Sequence, residues 1–151
     1  MVPARINRRV VGDRLRLAAE YIAEIQALPL ADRTIFLADR RNAAAAESYL
    51  RRALEALLDI GRHILAKGFA TGVSEYKEIA TRLRDAQVLT AQESSLLFTM
   101  AGYRNRVDFY HEITPDELYS ICTSQLGEVE QVADAYRRWV NAHPELMSDE
   151  L

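Results

Sequence analysis

Apolar residues recur every three or four positions along most of this 151-residue chain, the spacing that places them on one face of an α-helix. The six glycines and four prolines are few, and they fall where that pattern breaks. No segment shows the strict alternation of apolar and polar residues that a half-buried strand requires. The pattern therefore predicts an all-α fold, an up-and-down bundle of four main helices with short additional helices.

The first part of the chain contains four predicted helical segments, at about residues 13–27, 32–38, 41–67 and 74–86. In the first of them the apolar face repeats as Leu17, Tyr21, Ile25 and Leu28. Pro29 is expected to end this helix, and Gly68 is expected to end the long third segment.

Two sequence signals mark the starts of the last two main helices. Thr90 and Glu93 form a capping box, in which each side chain binds the backbone N–H of the other residue. Thr114 and Glu117 repeat the signal, with Pro115 in the first helical position, where its missing N–H costs nothing. The helix that starts there is expected to continue to about position 141.

Charge is distributed unevenly along what the length indicates is a single domain. Residues 1–16 carry five arginines and one acid, whereas residues 107–151 carry ten acids and two arginines. We therefore expect a flexible basic arm over residues 1–12, the helical bundle over residues 13–141 and an acidic tail over residues 142–151.

Several classes of protein are disfavoured by the sequence. The only cysteine, Cys122, cannot form an internal disulfide and is typical of a reducing cytoplasm, where we expect the protein to be. No apolar run reaches the ~18–20 residues of a membrane span, and no glycine-rich phosphate loop is present. The three histidines lack metal-ligand spacing, so we expect neither a metal nor a cofactor.

Polar residues crowd the end of the predicted helix that starts after Thr90, in the sequence YRNRVDFYHEITPDEL at residues 103–118. Arg104, Asp108 and His111 are spaced by four and seven positions, which places them within ~60° of one another on a helix. One interpretation is an ordinary solvated face, with an i, i+4 ion pair worth roughly 0.2–0.5 kcal/mol and a histidine near a helix end.

The same residue types also suit phosphate chemistry. Histidine exchanges protons near neutral pH, and arginine binds phosphate and stabilises the charge that develops as phosphorus becomes five-coordinate. Together they favour metal-free cleavage of RNA, with the ribose 2′-hydroxyl as the internal nucleophile.

The sequence resembles the HepT toxins of the HEPN ribonuclease family over roughly residues 13–140. The resemblance rests on ALEALLDIGRHILA at 53–66, YKEIATRL at 76–83 and, most specifically, MAGYRNR followed by FYHEITPDELYSI at 100–106 and 109–121. It implies a homodimer whose motif helices line one RNA cleft. It also implies a partner antitoxin with a nucleotidyltransferase fold, which transfers AMP from ATP onto a tyrosine of the toxin motif and silences it.

The resemblance assigns a role to each motif residue. Arg104 corresponds to the phosphate-binding arginine, Asn105 to its polar companion and Tyr110 to the AMP acceptor. In close relatives a histidine commonly stands directly before the Phe-Tyr pair, whereas here Asp108 does, and the motif is one residue shorter. Asp108 is a poor replacement, because its anion repels phosphate.

Three interpretations remain open. In the first, His111 is the catalytic histidine, with six residues between it and Arg104. In the second, the protein is an inactive HEPN bundle that binds its nucleotidyltransferase partner. In the third, the chain is a helical dimer whose polar residues are only solvated surface. His63, four residues after Asp59, is interpreted as a core or dimer-contact histidine.

Overall fold

The computed structural model describes residues 5–108 and 113–149, without the side chains of Val107 and Asp108. Seven α-helices lie within these residues: α1 (Arg8–Gln26), α2 (Arg33–Ala38), α3 (Arg40–Phe69), α4 (Tyr76–Asp85), α5 (Ala91–Asp108), α6 (Pro115–Ser124) and α7 (Leu126–Ala142). A pair of two-residue strands accompanies them: β1 (Ile6–Asn7) and β2 (Met147–Ser148). The predicted all-α bundle is confirmed. Within the described part of the chain, no helix combines the length and apolar character needed to cross a membrane.

Helix α3 is the centre of the bundle and packs against all six other helices. Its fully buried side chains are leucines and isoleucines on several sides of the helix: Leu50, Leu54, Leu57, Leu58, Ile60, Ile64 and Leu65. A helix that is apolar on most sides is one that other elements surround. Helix α3 therefore fixes the positions of the helices around it.

Gly61 allows the closest approach to α3. A Cβ atom at Gly61 would lie 2.7 Å from Ile79 Cγ2, 2.8 Å from Leu83 Cδ1 and 2.9 Å from the hydroxyl of Tyr136. Helices α4 and α7 can pack this tightly only because residue 61 has no side chain.

Helix α1 differs from its prediction in both start and buried face. It begins at Arg8, because the side chain of Asn7 accepts hydrogen bonds from the backbone N–H groups of Arg9 and Val10. Its buried residues are Val11, Leu15, Ala18, Ile22 and Ile25. Of the predicted face, Ile25 is buried, and Tyr21 and Leu28 are partly buried and pack against the core. Leu17 and Tyr21 border a cleft between α1 and α3.

The two ends of the described chain meet beside α3. Strands β1 and β2 pair in parallel, with Ile6 opposite Met147. The side chain of Ile6 packs directly on Gly68: a Cβ atom added at Gly68 would lie 2.7 Å from Cδ1 of Ile6. Helix α3 continues through Gly68 to Phe69. The prediction that Gly68 ends the helix is therefore wrong. Phe69 is the last helical residue, and Ala70 caps the helix with a left-handed φ of 51°.

The capping signals are confirmed at both predicted helix starts. Thr90 and Glu93 exchange hydrogen bonds of 2.9 and 3.1 Å, and the Thr114 hydroxyl accepts from the N–H of Glu117 at 3.1 Å. The carboxylate of Glu117, however, binds Arg106 and not the backbone.

The last predicted helix is two helices, α6 and α7, which meet at Gln125. The hydroxyls of Thr123 and Ser124 both donate to backbone carbonyls of the preceding turn. Hydroxyl side chains that bond in this way weaken a helix locally, and Gly127 lowers the helix propensity further.

Candidate active site

Arg104 lies in the interior of the bundle, where α5 packs against α3 and α4. Only 8% of its surface is exposed. A buried arginine requires charge compensation, because removing a guanidinium from water is costly. The interpretation of this residue as solvated surface is therefore wrong.

Contacts with α3 and α4 orient the Arg104 guanidinium. Its Nη2 atom lies 2.7 Å from Oε1 of Glu55, on α3. Its Cζ atom lies 5.2 Å from the ring centroid of Tyr76, at the start of α4. The same ring also meets Arg62, whose Cζ is 5.3 Å from the centroid. Residues from three helices thus determine where the arginine of the motif sits.

The other predicted site residues are only partly within the described structure. Asn105 follows Arg104 on α5 and is half-buried. Asp108 is the last residue of α5, and its side chain is outside the described set. Tyr110 and His111 also lie outside the described residues. The structure therefore describes the positions of Arg104 and Asn105, and the roles of all five residues remain predictions.

Contacts between α5, α6 and the start of α7 fix the residues on either side of the motif. Arg106 donates to both carboxylate oxygens of Glu117, at 2.5 and 2.8 Å, and this pairing holds the pKa of Glu117 below its usual range. The hydroxyl of Tyr103 donates to Oε1 of Gln125 at 2.7 Å. The end of α5 and the start of α6 are therefore joined independently of residues 109–112.

A cleft of about 350 Å³ opens between α1 and α3, next to Arg104. Eight residues line it: Arg14, Leu17, Tyr21, Arg51, Arg52, Glu55, Ala56 and Asp59. Glu55 both lines this cleft and binds Arg104, so the motif arginine lies directly behind the cleft wall. Burial raises the pKa of Asp59, and the nearby guanidinium groups of Arg14 and Arg62 act in the opposite direction.

The sequence analysis did not identify Glu55 or the role of Tyr76. A signal for Glu55 was present: a carboxylate between Leu54 and Leu57, within a helix buried on several sides, needs a cationic partner. The sequence did not indicate which of the 17 arginines that partner would be.

Cys122 and His63 both lie within the bundle, Cys122 buried and His63 half-buried. Cys122 is buried, and burial raises the pKa of its thiol to about 11, so it remains a neutral thiol. Nε2 of His63 accepts a hydrogen bond from the N–H of Asn7 at 3.0 Å. His63 therefore ties strand β1 to α3.

Comparison with known protein families identifies the chain. The family described as Ribonuclease HepT-like matches residues 18–136. This chain belongs to the HepT-like ribonuclease family. No curated protein matches it.

Solved structures share the fold of this HepT-like chain. A tri-AMPylated HEPN toxin from Shewanella oneidensis, in complex with an MNT antitoxin, is 23% identical, with a TM-score of 0.77 over 85% of this chain and 97% of that one. A toxin–antitoxin structure with AMP-PNP is 22% identical, with a TM-score of 0.78 over 87% and 99%. A cytosolic protein of unknown function from Bacillus subtilis, YutE, is 17% identical, with a TM-score of 0.77 over 97% of both chains. At these identities the likeness establishes the fold.

Proposed function

We propose that this HepT-like protein is the toxin of a toxin–antitoxin pair and a metal-independent endoribonuclease. The observation that carries the proposal is the buried pair of Arg104 and Glu55, which fixes a guanidinium at the first position of the family motif. Membership of a ribonuclease family and the HEPN toxin fold of two similar structures support it.

In the proposed reaction the ribose 2′-oxygen attacks the adjacent phosphorus and the bond to the 5′-oxygen breaks. The products are a 2′,3′-cyclic phosphate and a 5′-hydroxyl. Arg104 stabilises the additional negative charge on the five-coordinate phosphorus. His111 transfers protons; in a homodimer the two copies of His111 supply one base for the 2′-hydroxyl and one acid for the leaving oxygen.

The position of Glu55 determines how a phosphate reaches Arg104. Because the carboxylate occupies Nη2 of the guanidinium, an RNA phosphate has to compete with Glu55 from the side of the cleft. The arginine is thereby oriented before substrate arrives, and an oriented charge loses little freedom when it binds phosphate.

The proposed regulation is AMPylation by a nucleotidyltransferase-fold antitoxin. A phenolic oxygen of the motif, that of Tyr110, attacks the α-phosphorus of ATP, and pyrophosphate leaves. The added AMP carries a negatively charged phosphate on the motif, which is expected to compete with RNA for the basic groups of the site. Incubation with the antitoxin encoded beside this chain and ATP is expected to add AMP mass to the wild-type protein, and Tyr110→Phe should remove that addition.

A second candidate function is a HEPN protein that binds its nucleotidyltransferase without cutting RNA. The observation that favours it is Asp108 at the position of the family histidine. Incubation of the purified chain with single-stranded RNA and EDTA distinguishes the two. Fragments ending in a 2′,3′-cyclic phosphate are expected for the ribonuclease; intact RNA together with a stable antitoxin complex would establish the second function instead.

A further inference from the structure

We propose that the cleft between α1 and α3 binds the sugar-phosphate backbone of single-stranded RNA next to the phosphate that is cut. We call it the arginine cleft, after Arg14, Arg51 and Arg52, which line it. The inference rests on the proposed ribonuclease function and adds a substrate-binding site to it.

The arginines of the cleft are available to an anion. Arg14 and Arg52 are exposed, and Arg51 is half-buried. Among the described residues, no carboxylate lies within ion-pair distance of these three guanidinium groups. Arg51 and Arg52 lie on α3 and Arg14 lies on α1, so an extended RNA strand can contact arginines on both walls of the cleft.

Arginines elsewhere on the same two helices are engaged differently. On α1, Arg16 binds Asp13 at 3.2 Å, and at the start of α3, Arg41 binds Asp39 at 2.9 Å. Arg16 and Arg41 each have a carboxylate partner and lie outside the cleft, so they are suitable control positions on the same two helices.

The charge balance within the cleft favours an anionic ligand. Its two carboxylates, Glu55 and Asp59, face arginines of their own: Glu55 binds Arg104, and Asp59 lies 3.7 Å from Arg62. Asp59 also interacts electrostatically with Arg14, so Arg51 and Arg52 carry most of the uncompensated charge of the cleft. Such a surface attracts a polyanion and weakens its hold as salt rises.

Two further features favour RNA over an acidic protein segment. The ring of Tyr21 lines the cleft and stacks on Tyr49, with 6.2 Å between centroids, and the Cζ atom of Arg52 lies 6.0 Å from the Tyr21 centroid. A base can stack beside this tyrosine on the planar guanidinium of Arg52. Glu55 connects the cleft wall directly to Arg104, so a strand lying in the cleft leads to the proposed reaction site.

The test measures binding of a fluorescent single-stranded RNA whose 2′-hydroxyls are methylated, so that it cannot be cut. The cleft variant is Arg14→Gln/Arg51→Gln. The control variant, Arg16→Gln/Arg41→Gln, removes the same charge from the same helices outside the cleft.

The cleft variant is expected to bind at least about tenfold more weakly at low salt. Its plot of log affinity against log salt should be shallower by about 1.4, since each lost phosphate contact of a single strand contributes ~0.7. The control variant should retain the wild-type slope.

Equal slopes for the wild type, the cleft variant and the control variant would overturn the proposal, as would a cleft variant that loses the antitoxin but keeps RNA. Unchanged helical circular dichroism shows that both variants are folded.

The cleft and the proposed function can fail separately. If the wild type cuts RNA and the cleft variant binds and cuts equally well, only the cleft proposal fails. If binding depends on the cleft but unmodified RNA is never cut, only the ribonuclease proposal fails.

Discussion

Oε1 of Glu55 lies 2.7 Å from Nη2 of Arg104 and joins the central helix α3 to the motif helix α5. The side chain of Arg104 is 9% exposed and that of Glu55 is 32% exposed, so water screens the pair only weakly. The contact links fold stability to the proposed chemistry, because the same guanidinium serves both.

We expect Glu55→Gln to destabilise the fold by about 1–3 kcal/mol, because it removes the negative charge that lies 2.7 Å from the buried Arg104 guanidinium. Denaturant unfolding of Glu55→Gln, Arg104→Ala and the double variant measures the coupling. The double variant should be little less stable than Arg104→Ala alone. Strictly additive losses would show that the two residues do not depend on each other.

The stability of the protein should decrease at mildly acidic pH because of His63. Burial and the nearby Lys67 lower the pKa of His63, so the unfolded chain binds its proton more readily than the folded chain does. The free energy of unfolding should therefore be highest above the ordinary histidine pKa of about 6.5 and fall as pH drops below it.

His63→Gln tests this dependence, because glutamine has a carbonyl oxygen that can accept the Asn7 N–H without titrating. Unfolding curves between about pH 7.5 and 5 should lose more stability in the wild type than in the variant. An identical loss in both proteins would assign the pH dependence to other groups.

Gly61→Ala should destabilise the bundle by about 1–3 kcal/mol, since its Cβ would lie 2.7 Å from Ile79 and overpack the junction of α3 and α4. Gly127→Ala is the matched control on α7, where nothing lies within 4 Å of the added atom. That change should be neutral or stabilise by up to about 1 kcal/mol through helix propensity. Similar thermal midpoints for the two variants would contradict the tight packing at Gly61.

The identity of the catalytic histidine is tested by two changes to the motif. If His111 transfers the protons, His111→Ala should reduce RNA cleavage by about 10²–10⁴-fold. The comparison is a chain in which Val-His replaces Asp108, which restores the length and histidine of the family motif. Cleavage by this restored chain alone would mean that the present sequence is an inactivated toxin and that His111 does not act in catalysis.

Local sequence signals predicted the helices well. Thr90 with Glu93 and Thr114 with Pro115 gave correct helix starts, because a cap is made by residues three positions apart. Gly68 was misinterpreted, because its lack of a side chain serves a contact with Ile6, far away in sequence. The break at Gln125 was missed because no glycine or proline occupies that position.

The sequence predicted only part of the candidate site, because contacts between different helices are not visible in sequence spacing. Arg104 and Asn105 could be proposed from the sequence because the family motif is contiguous. Glu55 and Tyr76 come from other helices, and the sequence spacing does not show that they meet the Arg104 guanidinium. Tyr21 was assigned to the core by its spacing, whereas it borders the arginine cleft.

The central claim is that this chain cuts RNA by using Arg104. The most direct measurement compares cleavage of single-stranded RNA by the wild type, by Arg104→Ala and by Arg82→Ala, an exposed arginine on α4. We expect cyclic-phosphate products from the wild type and from Arg82→Ala, and at least a ~10²-fold lower rate for folded Arg104→Ala. Equal cleavage by all three proteins, or none by the wild type, would contradict the claim.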